Sequence, residues 1–265
     1  NPKELERVDM LLKRTHGVFF VTGPTGSGKT TTLYSFLKRM DASEKNIITI
    51  EDPIEYQLEG ISQIQVATKK GMTFLTALRH VLRQDPDVIM VGEVRDQETA
   101  RMVIQSSLTG HLVFSTLHTN DSAGAITRMI DLGVEPYLVA SSVIAVQAQR
   151  LVRKLCPDCK ECIPADSRKM RELGIGFGAF EKVYHSRGCE KCFQTGYRGR
   201  TGIYELMAVD DDIRQCVYQR QTAGAIKKVA MDAGLVTLRM DGLKKVETGV
   251  TSLEEVLRVA QADDI

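Results

Sequence analysis

Gly23-Pro24-Thr25-Gly26-Ser27-Gly28-Lys29-Thr30 places glycines ahead of a lysine and a hydroxyl in the spacing G-x-x-x-x-G-K-[ST], which suits a phosphate chain. Glycines let the backbone curl until successive N–H groups face an anion, and a helix beginning there adds the partial positive charge of its N-terminus. In this reading Lys29 reaches the β and γ phosphates, Thr30 ligates Mg²⁺, and Thr31 extends the cradle. The chemistry expected is nucleoside triphosphate binding.

Asp87-Val88-Ile89-Met90-Val91-Gly92-Glu93 has the apolar run of a buried strand and ends in a carboxylate. Open α/β sheets bind ligands at strand C-termini, so Glu93 is the candidate to polarise an attacking water or to hold the metal through a water. Ile47 to Ile50 leads into Glu51-Asp52-Pro53, with Glu55 beyond, and predicts further carboxylates on the same edge. His118 follows the run His111 to Leu117 and is expected at that edge, whereas His111 starts the strand and is expected at the opposite one. Arg95 and the Gly-flanked pair Arg198 and Arg200 are candidates to reach a phosphate, the latter across a subunit boundary in the manner of an arginine finger; a solvated turn charge is the simpler account of each.

Cys156-x-x-Cys159 and Cys189-x-x-Cys192 match the tetrahedral demand of structural zinc, with four thiolates closing the coordination shell. Cys162 offers a second register for the first pair, and His185 an alternative ligand; Pro157 and Gly188 favour the outer assignment as tight-turn residues. Cys216 lies in a helical pattern and reads as a core residue.

These residues need elements to position them. Strands are predicted at Val18 to Thr22, Asn46 to Glu51, Asp87 to Gly92 and His111 to Thr116, with helices at Gly28 to Met40, Thr73 to Arg83, Asp96 to Thr109, Ser122 to Leu132 and Tyr137 to Arg153. Gly110 suits a helix C-terminus that needs positive φ. The alternation implies an α/β core with a parallel sheet covered on both faces. The texture changes near Leu155, giving expected segments 1–154, 155–195 and 196–265: a phosphate-binding core, a cysteine module, and a C-terminal region with a strand or hairpin at Gly196 to Val209 followed by three or four helices. One of those helices is expected to start at Thr251-Ser252, with Glu254 and Glu255 in its first turn.

Composition narrows the partners. With 265 residues and 43% hydrophobic content the chain can bury a core, which excludes disorder and a disulfide miniprotein. Its 35 basic against 34 acidic residues give +1, no global reason to bind a polyanion, so nucleic acid is not the expected partner. Apolar runs are too short for a transmembrane segment. Cysteine usage and the absence of an export signal predict a cytoplasmic protein, and Asn1 in place of Met predicts a fragment or processed product.

Gly23 to Thr32, Ile50 to Glu55, Leu82 to Arg95 and Gly110 to Asp121, with the tetracysteine module and Gly199 to Glu205, resemble the secretion ATPases of type II secretion and type IV pilus assembly, over nearly the whole chain. Gln105 to Gly110 and Thr127 to Gly133 look closer to the type II branch. The resemblance implies a RecA-like P-loop NTPase core with a small Cys₄ zinc insertion and a C-terminal helical region. It implies that Lys29 and Thr30 hold phosphate and Mg²⁺, that Glu93 is the Walker B carboxylate and Glu51 the Asp-box acid, and that His111 and His118 are the two His-box histidines. It further implies a homo-hexamer that hydrolyses ATP at the cytoplasmic face of the inner membrane, docked to platform proteins through N-terminal domains absent from this chain. Cys162 departs from the family's four-cysteine pattern. A nucleic-acid motor and a nucleotide-gated docking module with little turnover are the rival readings.

Overall fold

Short runs of β-branched and aromatic residues alternate with amphipathic stretches, and in the computed structural model they form a mixed α/β sheet with its strands largely parallel. Residues 2–166 and 181–260 are described; 167–180 of the expected cysteine module and 261–265 of the expected C-terminal region lie outside the described residues. The chain runs α1 (Pro2–Leu12), β1 (Gly17–Thr22), α2 (Lys29–Leu37), β2 (Ile47–Glu51), β3 (Ser62–Gln65), α3 (Phe74–Val81), β4 (Val88–Val91), α4 (Gln97–Leu108), β5 (Leu112–Leu117), α5 (Ser122–Asp131), α6 (Pro136–Ser142) and β6 (Val143–Leu155). Then follow β7 (Lys160–Pro164), β8 (Lys182–Ser186), β9 (Tyr197–Ala208), α7 (Asp211–Tyr218), α8 (Ala223–Asp232), α9 (Leu238–Glu247) and α10 (Leu253–Val259).

The seven-stranded sheet has the order β3-β2-β4-β5-β1-β6-β9. β1 pairs in parallel with β5 and β6, while β4 pairs in parallel with β5 and β2. Parallel pairing puts the C-terminal ends of β1, β2, β4 and β5 on one edge, and the chain's first strand sits inside the order rather than at its end. Side chains alternate across β1: Phe19 and Val21 join a buried cluster with α1 and α2, whereas Val18 and Phe20 join one with α3 to α6. Phe19 stacks at 5.2 Å on Phe36 of α2 and at 6.0 Å on Phe114 of β5, so aromatic packing seats α2 on the sheet directly behind the glycine loop.

The expected helix over Tyr137 to Arg153 is corrected: it stops at Ser142, and Val143 adopts φ −76°, ψ 121° to begin β6. β6 is buried on both faces from Val143 to Arg150, so its pattern is continuous and carries no two-residue alternation; the β-branched Val143, Ile144 and Val146 were the usable signal. The polar β3 was not anticipated, because its partly exposed Ser62-Gln63-Ile64-Gln65 has little apolar content. Gly110 has φ +103° after α4, as a helix end requires.

Two compact units emerge: Asn1–Ala148 with Leu206–Leu235, and Gln149–Glu205 with Val236–Ile265. They cut across the sequence segments, since β6 and β9 each contribute residues to both. Composition registers where the cysteines begin, and packing changes elsewhere.

In the second unit, Ser252 caps α10 by accepting from Glu255 N at 3.3 Å, as its sequence suggests. Glu255 does more than face a helix dipole. It is buried and accepts from Arg153 Nη2 at 2.6 Å, Arg153 N at 3.0 Å and Arg258 Nε at 3.0 Å. The Arg153 guanidinium also lies 4.1 Å from the centre of the Tyr197 ring. Burial pushes the Glu255 carboxyl up, but the two arginines outweigh it and bring it from 4.5 down to about 2. A depressed carboxyl stabilises the fold fully above its unfolded value and ceases to as pH falls through its folded value. Denaturant midpoints are therefore expected to decline between pH 4.5 and about 2. Glu255→Gln should remove that part of the decline and cost roughly 1–3 kcal/mol at pH 7, allowing for the half-exposed arginines.

Candidate functional site

β1 ends at Thr22 and the chain turns through Gly23 to Gly28 into α2. Gly28 sits at φ 88°, ψ 20° as the N-cap of α2, a left-handed geometry in which a side chain would be strained. No side chain caps this helix, whereas Thr73, Asp96, Asp121 and Asp210 cap α3, α4, α5 and α7. A helix start without a side-chain cap is the backbone setting that suits an anion, and Gly28, Lys29, Thr30 and Thr31 line the cavity beside it. Lys29 folds back over its own loop and donates to Gly23 O at 2.9 Å and Pro24 O at 3.0 Å.

A cavity of about 570 Å³ opens along this edge, lined among others by Lys29, Thr30, Glu51, Glu93, Arg95 and His118. Five residues placed here from their positions in separate sequence runs thus meet Arg95 in one cleft of the first unit. Glu93 Oε2 lies 2.6 Å from Arg95 Nε and 3.5 Å from His118 Nε2. The Glu93 side chain is 13% exposed and those of Arg95 and His118 are 73% and 46% exposed, so the acid is sheltered while its partners face solvent. Such an arrangement can accept a proton from water beside a phosphate chain.

Glu51 is 2% exposed and densely satisfied. Oε2 accepts from the Tyr34 hydroxyl, and Oε1 accepts from Thr49 Oγ1 at 2.6 Å and Gln63 Nε2 at 3.0 Å. Burial, reinforced by the adjacent Glu51 carboxylate, pushes the Tyr34 phenol far above its ordinary value, so Tyr34 remains a donor. Tyr56, also on the cleft wall, meets Tyr34 edge-on at 4.7 Å. Sequence reading missed Tyr34 and Gln63. Tyr34 reads as an apolar-face residue of α2, and Gln63 belongs to the unanticipated β3.

Not every candidate comes to the cleft. His111 precedes β5 at the opposite end of the strand, with Nδ1 2.8 Å from Ser106 O and 3.1 Å from Thr109 Oγ1. The length of a six-residue strand, roughly 20 Å, separates it from His118, which is where strand geometry alone places it. Arg198 and Arg200 are exposed residues at the start of β9 in the second unit.

The cysteines of the second unit converge. Sγ atoms of Cys156 and Cys189 are 4.0 Å apart, those of Cys159 and Cys192 3.8 Å, and those of Cys189 and Cys192 3.7 Å; all four lie within 4.8 Å of one another. Thiolates at about 2.3 Å from one tetrahedral ion stand about 3.8 Å apart, so the donor set and its spacing fit a metal ion. Burial pushes the Cys192 thiol up, but the N–H groups of Cys189 and Gly196 outweigh it and bring it down to about 6, whereas burial pushes Cys159 up to about 12. Cys162 is exposed and sits opposite Tyr184 in the β7–β8 ladder, which resolves the register in favour of the outer pair. His185 Nε2 is 3.6 Å from Glu161 and outside the cluster. Cys216 is buried in α7, as a core residue should be.

The sequence profile of the Type II/IV secretion system protein family matches residues 1–258. Type II secretion system protein E of Aeromonas hydrophila is 52% identical over 256 residues, 97% of this chain and 51% of that protein. Type II secretion system ATPase E of Vibrio cholerae serotype O1 is 53% identical over 255 residues, 95% of this chain and 50% of that protein. Type IV pilus assembly ATPase PilB of Thermus thermophilus is 49% identical over 258 residues, 97% of this chain and 29% of that protein. The chain spans about half the length of the type II relatives it matches. Among solved structures, the pilus retraction motor PilT with bound ADP superposes with a TM-score of 0.73 at 29% identity, covering 97% of this chain and 64% of that one. The ATPase DotB of Legionella pneumophila gives 0.69 at 22% identity, covering 96% and 62%, a likeness of fold.

Metal analysis checks the cysteine geometry. About one divalent ion per chain is expected, lost in a Cys189→Ser, Cys192→Ser double variant and retained in Cys162→Ser.

Proposed function

The chain belongs to the Type II/IV secretion system protein family, and from that premise we propose that it is an Mg²⁺-dependent ATP hydrolase powering pseudopilus assembly and protein export by type II secretion. The observation that carries this reading is the meeting of Lys29, Thr30, Glu93 and His118 around one cavity at the C-terminal edge of a parallel sheet. A triphosphate seats against the amides at the start of α2. Lys29 exchanges its bonds to Gly23 O and Pro24 O for phosphate oxygens, a swap of neutral acceptors for charged ones. Glu93 accepts the proton of the attacking water, with Arg95 and His118 setting the direction of its carboxylate. Thr30 holds Mg²⁺, which supplies charge neutralisation along the phosphates when bound. Glu51, held by Tyr34, Thr49 and Gln63, supplies a positioned acid on the cavity wall.

The cysteine cluster holds zinc, which stabilises a region with little apolar core of its own. In the complete protein the ATPase works as a hexamer at the cytoplasmic face of the inner membrane, docked to platform proteins. Arg198 or Arg200 reaches the nucleotide of a neighbouring subunit. No helix among the described residues is long and apolar enough to cross a membrane. A second reading, an ATPase driving type IV pilus assembly, is favoured by the 49% identity to PilB, though the type II relatives are 52% and 53% identical and the match spans about half of each against 29% of PilB.

Lys29→Ala should abolish turnover, and unchanged phosphate release in that variant refutes the assignment. Glu93→Gln should keep ATP affinity within about threefold while slowing hydrolysis by roughly 10²–10³-fold, measured by single-turnover kinetics beside nucleotide titration.

A further inference from the structure

Thr116, near the end of β5, grips the Glu93 turn from two sides. Its hydroxyl donates to Gly92 O at 2.7 Å, and its carbonyl accepts from Val94 N at 3.0 Å. One residue thus brackets the turn Gly92-Glu93-Val94. On the β2 side, Gly92 N donates to Ile50 O at 2.8 Å. A Cβ on Gly92 would stand 3.2 Å from that oxygen and 3.4 Å from the Phe74 ring, so the turn has no room to relax toward β2. The next residue, Leu117, holds the other half of the site: its carbonyl accepts from Gly23 N at 3.4 Å and from the Thr22 hydroxyl at 3.0 Å. Adjacent residues of one strand therefore link the acid-bearing turn to the phosphate loop.

We propose that the Thr116 hydroxyl is a positioning group for hydrolysis, setting Glu93 in register with the phosphate loop; this rests on the ATPase reading above. The loop is tied to Leu117 through that residue's carbonyl, so removing the Thr116 hydroxyl leaves the cradle in place and frees only the acid. Misplacement of a reacting group by about 1 Å can cost on the order of 100-fold in rate. Ser115 is the natural comparison. It is buried, and its hydroxyl donates at 2.7 Å to Val91 O on the same neighbouring strand, one residue before the turn. Deleting it removes the same kind of bond without releasing Glu93.

The test compares Thr116→Val, Thr116→Ser and Ser115→Ala by steady-state hydrolysis, ADP titration and amide hydrogen exchange. In Thr116→Val, kcat should fall about 10- to 100-fold while KM for ATP and affinity for ADP stay within about threefold. Thr116→Ser should recover kcat to within about threefold, and Ser115→Ala should retain it. Exchange of the Val94 amide should quicken about tenfold in Thr116→Val alone. Unchanged kcat or exchange in Thr116→Val overturns the proposal, as does an equal loss in Ser115→Ala or a parallel loss of ADP affinity. Absence of hydrolysis in the unaltered protein counts against the ATPase reading instead, and the exchange measurement then sustains or overturns the grip on the turn by itself.

Discussion

Parallel hydrogen bonding of β5 to both β1 and β4 is the constraint on which the rest of the first unit depends. Register pairs Leu112–Leu117 with Gly17–Thr22 on one side and Leu112–Ser115 with Val88–Val91 on the other, so the glycine loop, the Glu93 turn and His118 leave the sheet at one edge. A slip of one residue would turn Phe114 away from Phe19 and Phe36. The apolar pattern thereby fixes a polar geometry it does not contain. The Phe19, Phe36 and Phe114 cluster below the loop holds α2, whose uncapped N-terminus faces the cleft.

The two acids of the cleft are held in opposite ways. Glu93 is met by a cation on an exposed side chain and by an imidazole, partners that solvent or a ligand can displace. Glu51 is buried among neutral donors from α2, β2 and β3, which hold its carboxyl group in place. In the second unit polar chemistry works beside buried apolar residues such as Val152, Ile203, Val246 and Val256: four thiols converge around one point, and Glu255 draws in Arg153 and Arg258.

The phosphate loop, the strand ends and the cysteine pairs were legible because each is local. Glycines preceding Lys29, a carboxylate closing an apolar run, and two C-x-x-C pairs declare their chemistry within a few residues. In sequence β6 reads as the continuation of a helix because a strand buried on both faces carries no alternation, and what surrounds it is known only once β1 and β9 are in place. β3 and Gln63 escaped notice for the converse reason: an edge strand with polar residues has no signal until β2 pairs with it.

Sequence alone determined which groups exist and which strand ends carry them: Lys29, Thr30, Glu93 and His118, and the cysteines able to ligate. It also determined, through the length of β5, that His111 and His118 stand at opposite ends. Only the tertiary structure decided who meets whom. Glu51 gains Tyr34 and Gln63, Glu93 gains Arg95 and the grip of Thr116, Cys162 is left out of the thiol cluster, and Glu255 becomes a buried ion-paired acid. Backbone chemistry and periodicity act over a turn or a strand, whereas these contacts join residues far apart in the chain and depend on the order in which strands assemble.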